Sequence, residues 1–373
     1  MRVLIVSHAP LSPELGAAQI ALSLAEALRA RGHEALAWSP EPLPAAARWW
    51  SIWSWQRRRL EEHLAGSPPY DLVDCPAISI SARVAASAPV VARSVQPDLR
   101  YFGVSFRSRL ARLPAGAVRL PFESLLEARL AAAILAGWRR ARAILCLGSH
   151  EARWMARHLP WTRGKLRRYV AAPSAAEQAA LATVRSRRVP LDLAGTTRFL
   201  WIGRWVPQKG TAHLLKILAE RAAARPEDTF TLAGCGPEAA HRAPSALLAS
   251  GRLQILPAFP RGELPALLAA HDAGLFTSTV EGWALTLNEM LESGMPVYAT
   301  EAGGVADLRP FFPRSLRPFP PPIGAATPEA TLPDDPAASV YYETFTWDAI
   351  ARRYEEEILL PFGRPRHAAL EAP

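Results

Sequence analysis

The chain has 373 residues, half of them apolar, and a formal net charge of +9 carried mostly by arginine. That length fits two domains of ordinary size better than one, and the positive balance favours anionic partners such as phosphates. The longest apolar run, Leu130 to Trp138, is far below the roughly 20 residues of a membrane span, and no zinc-finger spacing, basic zipper or RNA-recognition signature points to nucleic acid.

At the N-terminus a brief apolar run, Val3 to Val6, is stopped by polar residues and by Pro10 and Pro13. It reads as a first strand and not as a signal peptide. Ala17 to Arg31 follows as a helix stopped by Gly32, then Glu34 to Trp38 as a second strand. Ala47 to Leu64 combines Trp49, Trp50, Trp53 and Trp55 with the arginines at 57 to 59. The favoured reading is a helix packing its tryptophans into a core; the other is a contact with a membrane surface. Leu72 to Cys75, Val90 to Arg93 and Ala143 to Leu147 are further strands with helical stretches between most of them, the pattern of a parallel sheet with crossover helices.

Ser174 to Gly195 reads as a polar, arginine-rich connector. Beyond it Phe199 to Gly203, Thr229 to Ala233, Leu253 to Leu256, Gly274 to Thr277 and Pro296 to Ala299 predict a second parallel sheet. Pro310 to Ser339 is proline-rich and aperiodic, the pattern of a surface loop, and Thr346 to Leu360 predicts a final amphipathic helix. The expected fold class is therefore α/β, with two doubly wound parallel sheets and a ligand site at the carboxyl ends of their strands, in a cleft that both share. Cys75, Cys146 and Cys235 are widely spaced, with no CxxC pair, which suits buried free thiols in a reducing cytoplasm.

Three constellations could carry chemistry. The stretch from Trp201 to Gly210 follows a strand and precedes a helix; Gly203 turns the chain, Pro207 fixes it, and Arg204 and Lys209 are left near a helix start, where two cations could neutralise a diphosphate without a metal. Thr231 to Glu238 is a strand ending in a glycine turn, with a structural role and, as the other reading, a contact to a nucleobase or ribose. Glu281 and Glu289 are eight positions apart; on one helix they would be separated by about 12 Å of rise and roughly 80° of rotation. They cannot share a proton or a metal, but suit two ends of one elongated ligand such as a nucleotide-sugar.

The order Gly203-Arg204, Lys209-Gly210, Gly234-Cys235-Gly236-Pro237, Ser278, Glu281 with Glu289, Ser293-Gly294 and Gly303-Gly304 resembles glycosyltransferase family 4, retaining enzymes of the GT-B fold. The resemblance implies an N-terminal acceptor-binding domain over residues 1–174, a donor-binding domain over 191–342, and a C-terminal helix in 346–373 crossing back to the first domain. It implies that Arg204 and Lys209 clamp the diphosphate, that Glu281 holds the transferred sugar and Glu289 the ribose hydroxyls, and that Gly203, Gly282, Trp283, Ala284 and Leu285 line the donor. The family's front-face displacement needs neither a nucleophilic side chain nor a metal or other cofactor.

In the first half, Gly16 and Ala17 resemble the family's glycine loop opening a helix toward the donor phosphates, with Ala17 where a second glycine is usual. Ala284 likewise replaces a common glycine, and Ala171-Ala172-Pro173 replaces an asparagine-glycine. Near Arg93 to Asp98 no histidine appears where relatives often carry one; Asp98 reads as a turn former or as a sugar contact, beside His8 and His150 as further acceptor or sugar contacts. The expected partners are a nucleotide-sugar donor and a glycan or lipid-linked acceptor of cell-surface polysaccharide synthesis, with peripheral membrane contact at the inner face as an additional prospect. A nucleotide-sugar epimerase or hydrolase, and a catalytically degenerate nucleotide-binding homologue, are the competing readings.

Overall fold

The computed structural model describes residues 1–12, 14–41, 51–110, 120–188, 196–323 and 335–364. The chain divides into two compact units, Met1–Ala172 with Thr344–Pro373, and Pro173–Glu343. Trp49 and Trp50, residues 189–195 of the expected connector with the start of the donor domain at 191, and residues 365–373 at the C-terminus lie outside the described residues.

In the first unit β1 (Arg2–Val6), α1 (Gly16–Ala30), β2 (Glu34–Trp38), α2 (Ile52–Gly66), β3 (Leu72–Pro76), α3 (Ala82–Ser87), β4 (Val90–Arg93), α4 (Asp98–Leu110), α5 (Leu120–Arg140), β5 (Ala143–Leu147), α6 (Gly148–His158) and β6 (Leu166–Tyr169) follow one another. All strands are parallel, in the order β2-β1-β3-β4-β5-β6. Val3, Leu4, Ile5, Leu72, Val73, Ala143 and Ile144 are completely buried, as strands covered by helices on both faces require. Trp53 packs against this core and its indole stacks on His8, which supports the core reading of the tryptophan-rich segment.

The second unit opens on α7 (Ala175–Arg187) and continues with β7 (Arg198–Ile202), α8 (Thr211–Ala224), β8 (Thr229–Ala233), α9 (Ser245–Ala249), β9 (Leu253–Leu256), α10 (Leu264–Ala269), β10 (Ala273–Phe276), α11 (Leu285–Glu292), β11 (Val297–Ala299), α12 (Val305–Leu308), β12 (Leu316–Pro318) and α13 (Ala338–Thr344). The sheet is again parallel, in the order β12-β11-β10-β7-β8-β9. The strand sequence reverses between β7 and β10, which makes that junction the topological switch point where ligands of open α/β sheets bind. After α13 the chain returns to the first unit through α14 (Trp347–Tyr354), where the Trp347 indole donates to the Ala172 carbonyl at 3.1 Å. Among the described residues no helix is long and apolar enough to cross a membrane.

Three expectations change. The connector contains helix α7, started by Ser174, whose hydroxyl caps the Glu177 amide while the Glu177 carboxylate reaches back to the Ser174 amide. The proline-rich loop contains β12, paired to β11. An unanticipated strand, β6, extends the first sheet beside β5. Both added strands lie at sheet edges, where one side of the ladder is unpaired and arginine and proline are tolerated, so neither has the apolar signature of a central strand.

A buried ion pair anchors the C-terminal return. Arg93 at the end of β4 grips Asp74 of β3 through two hydrogen bonds, of 2.9 and 2.5 Å, and the Tyr354 hydroxyl of α14 donates to the same carboxylate at 2.6 Å. Asp74 is completely buried and Arg93 nearly so. Removing one partner would leave an uncompensated buried charge, so Asp74→Ala is expected to cost about 3 to 5 kcal/mol. Urea denaturation should show the midpoint fall, and an unchanged midpoint would contradict this role.

Candidate functional site

The site is built from the loops that leave adjacent strands β7, β10 and β11 at their carboxyl ends. After β7 the chain turns at Gly203, whose amide donates to the Ala233 carbonyl at 3.0 Å, and tightens into a short turn at Pro207–Lys209. Gly210 then adopts φ 67° and starts α8. A Cβ at Gly210 would lie 1.8 Å from the Thr277 carbonyl oxygen, so only glycine lets the β7 and β10 loops approach this closely.

Side chains and backbone stitch the two loops together. The Thr277 hydroxyl donates to the Lys209 carbonyl at 2.7 Å and accepts from the Trp201 indole at 3.0 Å, while the Thr279 amide donates to the Gln208 carbonyl at 2.8 Å. The result fixes the backbone on either side of Lys209 and Glu281. Their side chains meet: Lys209 Nζ lies 2.5 Å from Glu281 Oε2, and the Ser278 hydroxyl donates to the same oxygen at 3.2 Å. Residues assigned separately to diphosphate and sugar are thus one ion pair, each side chain 18% exposed. Arg204 is exposed on the same loop, with no ion-pair partner among the described residues.

A third loop buttresses the second. The Thr300 hydroxyl after β11 donates to the Ser278 carbonyl at 2.6 Å, and the Gly304 amide donates to the Trp283 carbonyl at 3.0 Å. Gly303, at φ 58°, passes so close that a Cβ would sit 3.0 Å from the Trp283 oxygen and 3.2 Å from Glu281 Cβ. The Trp283 ring is only 2% exposed and packs on Gly304, supporting the loop from below while the backbone N–H groups around Gly282 to Leu285 remain the part expected to line the donor; Gly282 is buried as well.

Ala284 is the one non-glycine residue with positive φ among those described, at 70°, immediately before α11. Its methyl group stands where the backbone favours glycine. Glu281 lies in the loop and Glu289 on the helix that begins at Leu285, so the two carboxylates are not on a single helix. Glu289 is completely buried. Arg261, in the turn before α10, donates to Glu289 Oε1 and, at 2.7 Å, to Glu177 of α7; Glu289 Oε2 has no hydrogen-bond partner among the described residues. Burial raises the Glu289 carboxyl above the usual carboxylate range, and the neighbouring Arg261 works against that rise.

Sequence reasoning missed Arg261, Glu177, Ser278's contact and Thr277. The spacing of Ser174 and Glu177 is a capping-box signature that could have revealed α7 and the placement of Glu177. Nothing local marks Arg261, which meets its partners only through tertiary packing.

In the first unit Gly16 is the first residue of α1, with Ala17 in its opening turn, so the helix begins one residue before the expected start at Ala17. His8 and Asp98 come together: with Trp53, Arg93, Gln96 and Phe102 they line a pocket of about 60 Å³. Asp98 is the first residue of α4, not a turn former, and burial raises its carboxyl to about 7 against a hydrogen bond with Gln96. His150 lies in the first turn of α6 and is not among the residues lining that pocket. Among the described residues no group of three or more His, Cys, Asp or Glu side chains is placed to hold a metal ion.

Residues 196–310 match the family model described as Glycosyl transferases group 1. The chain carries that domain there, and its two six-stranded parallel sheets with flanking helices form the GT-B fold. The uncharacterized glycosyltransferase YqgM of Bacillus subtilis (strain 168) is 32% identical over 113 residues, 30% of this chain and 32% of that protein. The matches span about a third to a half of the length of the curated relatives. Among solved structures, sucrose-phosphate synthase of Thermosynechococcus elongatus has a TM-score of 0.61 at 15% identity, covering 99% of this chain and 96% of that one. HepE of Anabaena in complex with UDP-glucose has a TM-score of 0.54 at 16% identity, covering 97% and 96%.

Replacing Ala284 with glycine tests the strain in the Glu281 loop. Relief of the left-handed penalty, about 1 to 2 kcal/mol, exceeds the roughly 0.4 to 1 kcal/mol by which glycine favours the unfolded chain. Ala284→Gly should therefore raise the thermal midpoint, whereas Gly210→Ala should lower it; a fall in the first or no change in the second would contradict the loop geometry.

Proposed function

We propose that the protein is a retaining glycosyltransferase of the family-4 type, moving a sugar from a nucleotide-diphosphate-sugar to a glycan or lipid-linked acceptor in cell-surface polysaccharide synthesis. The observation that carries this reading is the Lys209–Glu281 pair at the switch point of the second sheet, with Glu289 close enough to Lys209 to be influenced by its charge. Lys209 and Arg204 supply positive charge for the diphosphate, and Glu281 supplies an acceptor for sugar hydroxyls. As the donor binds, the ammonium exchanges a carboxylate for phosphate oxygens and Glu281 exchanges an ammonium for hydroxyls, so neither group is left unpaired. Glu289 accepts from the ribose through Oε2.

Bond cleavage places negative charge on the leaving diphosphate, which Lys209 and Arg204 stabilise electrostatically. Front-face attack by the acceptor hydroxyl, its proton passing to the leaving phosphate, retains the anomeric configuration without a protein nucleophile or a metal. The pocket lined by His8 and Asp98 is assigned to the acceptor or the transferred sugar. The complex of HepE with UDP-glucose supports a donor of this kind, and the nucleotide and sugar are to be read from experiment.

A thermal-shift screen across UDP-, GDP- and ADP-sugars identifies the donor, since ligand well above its dissociation constant raises the midpoint. With that donor and an acceptor, Lys209→Ala should lower turnover by about 100-fold, and Glu289→Ala should weaken donor binding about tenfold or more. Unchanged kinetics in both variants would remove this site from the reaction; isomerised or hydrolysed donor without acceptor would favour an epimerase or hydrolase.

A further inference from the structure

Glu289 combines two features that rarely coexist: complete burial and a carboxylate oxygen with no hydrogen-bond partner among the described residues. Its other oxygen is held by Arg261, and Arg261 is held in turn. Glu177 uses Oε2 to cap α7 through the Ser174 amide and hydroxyl, each at 2.8 Å, and Oε1 to accept from Arg261 Nε at 2.7 Å. A chain of fixed contacts thus runs from the start of α7 through Arg261 to one side of the Glu289 carboxylate. A planar guanidinium braced at Nε has little freedom to rotate, so the contact at its terminal nitrogen holds Glu289 Oε1 in place.

We propose that Arg261 is a positioning residue for the donor: held by Glu177, it takes Glu289 Oε1 and leaves Oε2 to accept the hydroxyls of the nucleotide's ribose. This rests on the nucleotide-sugar reading of the site and adds to it a residue outside the motifs that suggested that reading. The arrangement also governs charge. Arg261 from the turn before α10 and Lys209 from the β7 loop favour the carboxylate form of Glu289, whereas Glu177 of α7 and Glu292 on the same helix oppose it. With Arg261 removed, burial and two carboxylates face Lys209 alone, so Glu289 takes up a proton at a higher pH than in the native protein. A protonated Glu289 has lost accepting capacity, and ligand affinity then falls as pH is lowered.

Isothermal titration with UDP, GDP and ADP, repeated as the pH is lowered stepwise from neutral, tests this without requiring transfer. The native protein should bind one of the three. Arg261→Met should bind it about tenfold or more weakly, with the deficit growing as pH falls, and Arg261→Lys should recover part of the affinity by restoring charge without the fork. Should Arg261→Met fail to fold, Glu177→Gln loosens the guanidinium, and a smaller loss of affinity is expected, without the growing deficit at low pH because the same change removes a carboxylate that raises Glu289. Native affinity and an unchanged pH profile in Arg261→Met, or native affinity in Glu177→Gln where that variant stands in, would overturn the inference while leaving the nucleotide reading intact. Binding of none of the three nucleotides by the native protein would overturn the nucleotide reading, and the inference with it.

Discussion

Gly210 lies against the Thr277 carbonyl at a distance no side chain would permit, and the rest of the site depends on that approach. It brings the loops after β7 and β10 together where the strand order of the second sheet reverses. Thr277 then bonds to both loops, the Thr279 amide joins the Gln208 carbonyl, and Lys209 and Glu281 are left facing one another. A cation and a carboxylate held on separate loops by backbone contacts can exchange partners without large rearrangement. That is the preorganisation electrostatic catalysis requires.

The loop after β11 supplies the second layer. Gly303 and Gly304 press against the backbone and ring of Trp283, and Gly303 also lies against the stem of Glu281. Ala284 is the exception, a methyl group in left-handed backbone one step before α11. Retaining a strained residue between Glu281 and Glu289 is compatible with function because the surrounding hydrogen bonds over-determine the loop. Deeper still, the completely buried Glu289 is held through Arg261 and Glu177 from the first helix of the second unit.

Much of this was legible in the sequence. Central strands are apolar because helices cover both faces, and all of those read from pattern appear, Val3 to Val6 and Gly274 to Thr277 among them. Edge strands β6 and β12 escaped because an unpaired edge permits Arg167, Arg168 and Pro318. The motif residues of the second unit were identifiable from turn chemistry and order along the chain. What they touch was not: the Lys209–Glu281 contact spans 72 positions and the Arg261–Glu289 contact 28, and tertiary packing alone creates them.

The central claim is that the loops following β7 and β10 receive the diphosphate and sugar of one ligand. Hydrogen–deuterium exchange of the native protein with and without a bound nucleotide-sugar tests it most directly. Protection should concentrate in residues 203–210 and 277–289, with the amides around Lys209 and Glu281 changing together. Binding that leaves both segments unchanged while protecting other regions would contradict the account.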